Sequence, residues 1–310
     1  MEESAPKHSV SLVGFLIALT GAILFSTKAV IVKKAFADVK ADALTLLVLR
    51  MLFSLPFYLA TAFVISSNKT NKKLSAREWL AVALLGASGY YLSSLLDFLG
   101  LQYISAGLER LILFLYPSFV VLINAVFLKE KIRSVHIWAI VISYAGMVIA
   151  YFGELQIDTG NPNFYWGSFL ILLCSVTFAI YIAGSGYVIP KIGASKFTAY
   201  SLLCSTAGVF LHYLVRGNYE PLRHGMDLWW YGMLLAIVAT VIPTFLLSIA
   251  LKKIGANNVA IISSIGPVST ILQAHIVLGE PIFTGQIIGT ALIIIGVLLL
   301  SLKPKKLALT

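Results

Sequence analysis

Apolar runs of about twenty residues follow one another along nearly the whole chain, separated by short stretches that carry the charges and turn formers. They fall at residues 11–32, 43–65, 79–99, 107–128, 134–152, 164–189, 197–215, 228–250, 256–278 and 282–302. A helix needs about 20 largely apolar residues to cross a bilayer, so each run predicts a transmembrane helix. Spanning strands would show alternating polarity over about 10 residues, whereas a run such as Ile287 to Leu302 is apolar on every face. The pattern therefore predicts an all-α polytopic membrane protein with ten transmembrane helices. The longest polar stretches, near 66–78, 153–163 and 216–227, are too short to build a core of their own. The first run, opening at Ser11, exceeds the roughly 7–15 apolar residues of a signal peptide and reads as a retained first helix.

Composition sharpens this reading. With 59% hydrophobic and 12% charged residues, the chain lies far from the roughly 45–50% and 25% of a soluble domain. The net charge of +10 does not form a basic patch interleaved with aromatics, which speaks against a nucleic-acid partner. Placed on alternate sides, the connections hold fifteen Lys and Arg with the N-terminus and five opposite. The positive-inside rule then puts both termini in the cytoplasm, with a plasma membrane, bacterial inner membrane being the natural setting. On that topology the sequon Asn68-Lys69-Thr70 is cytoplasmic and silent. Cys174 and Cys204 lie in apolar runs, have no metal-ligand spacing and read as packing residues.

Shifting the chain by 150 residues lays its second half on its first. Trp79 meets Trp229, Ile104 meets Ile254, Pro117 meets Pro267, Glu130 meets Glu280 and Gly146 meets Gly296. At a slightly different offset, Gly14 meets Gly167 and Phe25 meets Phe178. The units are residues 11–152 and 164–302, five helices each. An odd helix number sends the second unit through the membrane in the opposite sense, so the expectation is two inverted repeats, as in many secondary transporters.

The segment Ser105-Ala106-Gly107 through Pro117 to Leu128-Lys129-Glu130-Lys131 and Gly146, with its echo Gly255-Ala256 through Pro267 to Leu278-Gly279-Glu280-Pro281 and Gly296, resembles the repeat of the EamA family in the drug/metabolite transporter superfamily. Arg50 resembles that family's helix-two arginine and has no counterpart in the second copy. The resemblance implies a ten-helix secondary transporter that typically exports amino acids or other small metabolites.

The chain has no phosphate-binding loop, nucleophile elbow or His pair at metal spacing, so neither an enzyme, a metal site nor a cofactor is expected. Ionisable residues inside the apolar runs are the informative feature, because a charge at a helix centre costs roughly 2.5–3.5 kcal/mol. Lys28, Arg50, Asp97, Glu109 and Arg110 are such residues, all toward the non-cytoplasmic half, and most must pair or line a cavity. Lys28 is close enough to its helix end to snorkel, and Glu109 and Arg110 have an interfacial position as their alternative, whereas Arg50 and Asp97 lie deeper.

Tyr90, Ser94 and Asp97 share one face of the third helix, and Arg110, Pro117 and Asn124 recur every seven residues on the fourth. Tyr181, at the position matching Lys28, and Gln273 complete the candidate solute contacts, while Phe178, Trp229, Trp230 and Phe245 are expected to supply apolar walls. Pro117, Pro243 and Pro267 break the helical ladder and are candidate hinges. Thr240, Thr244 and Ser248 read as hydroxyls satisfied by their own helix, and the glycines of the tenth helix read as close-packing positions. Glu130 and Glu280 read as anchors of the repeat.

The expected partners are a small-molecule solute, the lipid bilayer and a coupling proton or counter-solute, for a monomer or weak dimer. An obligate exchanger of organic anions or phosphorylated metabolites stays open as an alternative, as does a membrane scaffold or integral-membrane enzyme.

Overall fold

The computed structural model describes residues 11–67, 73–127, 129, 132–157, 161–216, 219 and 225–301. Glu130, the Asn68 sequon and most of the expected cytoplasmic basic residues of the 66–78 loop and the C-terminal tail lie outside these.

Among the described residues ten helices follow in order: α1 (Leu12–Val39), α2 (Ala43–Ser66), α3 (Ala76–Gly100), α4 (Ala106–Phe127), α5 (Ser134–Ile157), α6 (Phe164–Ile192), α7 (Ala194–Arg216), α8 (Met226–Gly255), α9 (Asn258–Leu278) and α10 (Thr284–Ser301). The first nine are long and apolar enough to cross a bilayer, and α10 is a shorter apolar helix. The chain is an all-α polytopic membrane protein. α1 runs to Val39, past the expected end at 32. Lys33 and Lys34, charges that closed the apolar run in the sequence, extend the last turns of the helix instead of forming a loop.

Helix starts follow local chemistry. Ser11, Asp42, Ser75 and Ser105 cap α1, α2, α3 and α4, and Ser75 forms a reciprocal capping box with Glu78. Gly255 (φ 79) and Gly279 (φ 70) end α8 and α9 in a left-handed conformation that glycine adopts without Cβ strain.

Packing relates the two halves. α1 runs along α8 and α9, while α6 runs along α3 and α4; α2 meets α7 and α8, while α7 meets α2 and α3; α5 pairs with α10. Exchanging α1–α5 for α6–α10 returns the same set of pairs. The α5–α10 pair is close because glycine is required: a Cβ on Gly289 would lie 2.5 Å from the Gly146 carbonyl oxygen, and one on Gly296 would lie 2.6 Å from that of Ala139. The glycines of α10 thus serve packing within the fold.

Irregular backbone is repeated as well. A π-helical segment, Ala87–Leu92, interrupts α3, and a second, Ile237–Val241, interrupts α8 at the 150-residue offset. α4 breaks between Ala106–Leu113 and Tyr116–Phe127, and α9 breaks between Ser263 and Gly266. At both breaks the ladder tightens to i→i+3 bonds, Leu115 N–H to the Ile112 carbonyl at 3.1 Å and Ile265 N–H to that of Ile262 at 3.2 Å. Pro117 and Pro267 open the helical segments that follow. The break in α4 corrects one expectation: Arg110 lies before it and Pro117 and Asn124 after it, so the seven-residue spacing is not one continuous stripe.

Pro243 opens no such break. It follows the π segment directly at the start of the resumed helix, and the first half has the same π segment with Ser93 at the matching position, so the widened turn does not depend on the proline.

Candidate functional site

The five ionisable residues flagged by their position in apolar runs meet in one place. Lys28 does not snorkel: its Nζ lies 2.6 Å from Asp97 Oδ2 and 3.9 Å from Glu109 Oε1. Asp97 and Glu109 are 1% and 0% exposed, and Arg50 and Arg110 are buried beside them. Three cationic and two carboxyl groups thus converge from α1, α2, α3 and α4.

Each has a distinct setting. Arg50 Nη2 donates to Ser94 Oγ at 3.0 Å, and its guanidinium stands over the Phe98 ring, 5.3 Å from the centroid. The Arg110 guanidinium stands over Phe25 at 5.8 Å and beside Gly266 of α9, where an added Cβ would sit 2.8 Å from Nη2. Arg50 Nε, Arg110 Nε, Asp97 Oδ1 and both Glu109 oxygens are buried without a hydrogen-bond partner. Buried polar atoms are ordinarily satisfied, so this concentration of open donors and acceptors makes the cluster the candidate site.

An aromatic wall adjoins the charges. Tyr181 donates its hydroxyl hydrogen to the Tyr90 hydroxyl at 2.9 Å, and the two rings are 4.9 Å apart. Phe178 stacks on Tyr181 and meets Tyr116 edge-on. Tyr90 lies in the π segment of α3, and the neighbouring Gly89 admits Tyr181, whose Cγ would be 2.2 Å from an added Cβ. Ser88 of the same turn donates to the Thr177 carbonyl at 2.8 Å. The π segment thereby turns Tyr90 toward α6 while Ser94 faces Arg50 and Asp97 faces Lys28.

Several expected contacts lie elsewhere. Gln273 Nε2 donates to Ser269 Oγ at 2.8 Å and to the Ile23 carbonyl at 3.4 Å, fastening α9 to α1. Trp230 and Phe245 are 55% and 49% exposed, and Trp229 packs edge-on against Phe53. These three side chains do not wall the charged cluster. Thr240, Thr244 and Ser248 bond carbonyls of their own helix, as their sequence setting suggested.

Phe25, Phe98, Ser54 and Tyr58 join the site without having been singled out. Arg50, Ser54 and Tyr58 are all buried and recur every four residues on α2. That polar periodicity was the available signal, hidden because tyrosine and serine are ordinary in an apolar run.

A second polar cluster closes one end of the bundle. The Glu280 carboxylate accepts from the Ala106 N–H at 3.0 Å and the Gly107 N–H at 3.4 Å, capping α4 from the other half of the molecule. Lys33 Nζ sits 3.5 Å from Glu280 and donates to the Ile104 carbonyl at 2.6 Å, while Glu154 accepts from the Ser105 N–H at 3.3 Å. Glu280 is thus an anchor that joins the halves. His275 meets the Glu280 carbonyl, and His212 pairs with Tyr91 between α7 and α3.

Comparison with known proteins agrees with this architecture. The description of the EamA-like transporter family matches residues 12–152 and 165–302. A Bacillus subtilis protein described as uncharacterized transporter YcbK is 29% identical over 292 residues, 93% of this chain and 92% of its own length. A second from the same organism, uncharacterized transporter YetK, is 25% identical over 75% of this chain and 71% of its own. A crystal structure at 18% identity superposes with a TM-score of 0.63 over 92% of this chain and 94% of the other, which supports the fold.

Proposed function

This chain belongs to the EamA-like transporter family and is a multi-pass membrane transporter, and from that premise we propose that it is a secondary exporter of a small zwitterionic metabolite such as an amino acid, working by alternating access in the plasma membrane with both termini cytoplasmic. The observation that carries the reading is the buried set Lys28, Arg50, Asp97, Glu109 and Arg110, whose open donors and acceptors lie together beside an aromatic wall. A zwitterion supplies both complements. Its carboxylate suits the open guanidinium edges, and its ammonium suits the open carboxyl oxygens. Tyr90, Tyr181 and Phe178 offer an apolar face to its side chain.

Recognition on this reading is asymmetric. The positions matching Asp97, Glu109 and Arg110 in the second half are Leu247, Val259 and Ala260, so α1–α4 hold the charged part of the solute. The conformational step falls to the irregularities shared by both halves. The π segments of α3 and α8 and the breaks ahead of Pro117 and Pro267 are places where backbone bonding is already rearranged. With five helices in each half, the two units cross in opposite senses and their exchange of conformations opens the site to either side.

The test is a thermal-shift screen of purified protein against amino acids, nucleotides and organic anions, followed by counterflow in proteoliposomes with whichever compounds stabilise it. Stabilisation by amino acids, with efflux in the absence of external solute, supports the exporter. Stabilisation by organic anions alone, with flux only when both sides hold solute, replaces it with the obligate exchanger.

A further inference from the structure

Two carboxyl groups share a single ammonium at the centre of the cluster. Lys28 lies against Asp97 at 2.6 Å and only grazes Glu109 at 3.9 Å, beyond hydrogen-bond reach. The two carboxyls are therefore neighbours across one Nζ atom. Two carboxylates cannot hydrogen-bond to one another, since both only accept, whereas a carboxylic acid donates to a carboxylate. Glu109 is fully buried and neither of its oxygens meets a donor. An ionised carboxylate in that position would bear the desolvation penalty that a buried unpaired ion carries.

Among the described residues, no second cation stands at contact distance from Glu109. From α1 it faces Lys28, from α3 Asp97 and from its own helix Arg110, whose guanidinium is turned to Phe25; from α6 it faces the Cys174 thiol. Arg50 of α2 acts on Asp97. The other helices packed on α4 hold their ionisable groups in different contacts. His275 of α9 bonds the Glu280 carbonyl and Glu154 of α5 bonds the Ser105 N–H, while Tyr144 and Tyr151 of α5 pack on Phe119 and Phe164.

We propose that the Asp97–Glu109 pair is a proton-binding site, with the proton on Glu109 in this state, and that the proton and the solute's cationic group compete for it. When the proton leaves Glu109, the second negative charge beside Lys28 is offset by a solute ammonium; when the solute departs, a proton returns. One proton thus moves against each solute. The location of the proton stands on the geometry, and its use in coupling rests on the transporter reading above.

Infrared difference spectroscopy of the full-length protein in lipid, recorded between acid and alkaline buffer, separates protonated from ionised carboxyls without any solute. The wild type is expected to show a protonated-carboxyl signal at neutral pH that is lost in Glu109→Gln, shifted in Asp97→Asn and retained in Glu78→Gln. A Glu109→Gln spectrum that keeps the full wild-type signal overturns the proposal. Should Glu109→Gln fail to fold, Glu109→Asp serves instead, and an unshifted signal overturns it equally. For an amino acid that shows counterflow, pyranine trapped in the vesicles must report proton movement, and flux without it overturns the coupling. A protein that carries no amino acid at all fails the transporter reading and leaves the infrared result standing.

Discussion

Gly266 and Gly89 place functional side chains while contributing none of their own. An added methyl at Gly266 meets the movable end of Arg110, whereas one at Gly89 meets the Cβ and Cγ of Tyr181, which cannot swing away. Gly266→Ala should therefore cost less than about 1 kcal/mol of stability yet weaken solute binding by displacing the guanidinium. Gly89→Ala should cost about 1–3 kcal/mol. Thermal unfolding of the purified variants checks both, and equal losses would contradict the assignment.

Asp42 offers a pH test outside the spanning segments. Burial works against its charge, but hydrogen bonds from Thr45 and Arg216 and the Arg216 charge hold the carboxyl below its ordinary range. A group held low contributes stability that is present above its unfolded value, about 3.9, and that is lost as pH falls through the folded one. Asp42→Asn keeps a capping side chain and loses the 2.6 Å pair with Arg216. It should be less stable than wild type by about 0.5–1 kcal/mol at neutral pH, a gap that closes in acid below the folded value. At this scale the charges were legible because ionisable groups are conspicuous in apolar runs, whereas Phe25, Phe98 and Tyr58 were not, because one aromatic among many carries no such contrast.

Among the elements, the paired irregularities of α3 with α8 and α4 with α9 are the places to which the proposed alternating-access step is assigned. Pro117→Ala and Pro267→Ala should restore a backbone donor at the breaks and slow turnover several-fold, with a smaller change in binding. Flux and thermal-shift titrations on the same preparations separate the two effects, and a larger loss of binding than of turnover would make the prolines part of the solute site. The prolines and the turn glycines were readable from the chain because their backbone chemistry is fixed by residue type. The π segments were not. Ser93 and Pro243 occupy equivalent positions, and nothing in the apolar pattern distinguishes a widened turn from a regular one. The length of α1 was also hidden, since Lys33 and Lys34 signal a loop until partners such as Ile104 and Asp38 are seen to receive them.

For the whole molecule, the ten-helix pattern and the internal duplication could be read from hydropathy and from matched Trp, Pro, Glu and Gly residues, and the main helix pairings between the halves are unchanged when the halves are exchanged. The orientation rests on the distribution of Lys and Arg. Single cysteines at Asn71 and Asp158, both outside the described residues, in a background lacking Cys174 and Cys204, should label from opposite faces, with Asn71 on the cytoplasmic side. Labelling from one face would contradict the topology. What the chain did not disclose is the division of labour around the site, because facing positions on separate helices carry no sequence mark: Trp230 and Phe245 stay exposed, while Tyr181 and Phe178 reach the charges of the first half.

The central claim is that this charged cluster holds the solute. Counterflow of a stabilising amino acid, measured side by side in proteoliposomes of wild type, Arg50→Gln, Asp97→Asn and Phe245→Leu, tests it directly. The account predicts at least about a tenfold loss of exchange in the two charge variants, as expected when a buried charged partner is removed, and wild-type exchange in Phe245→Leu. Normal exchange by folded Arg50→Gln and Asp97→Asn proteins would contradict it and reduce the cluster to internal ion pairs.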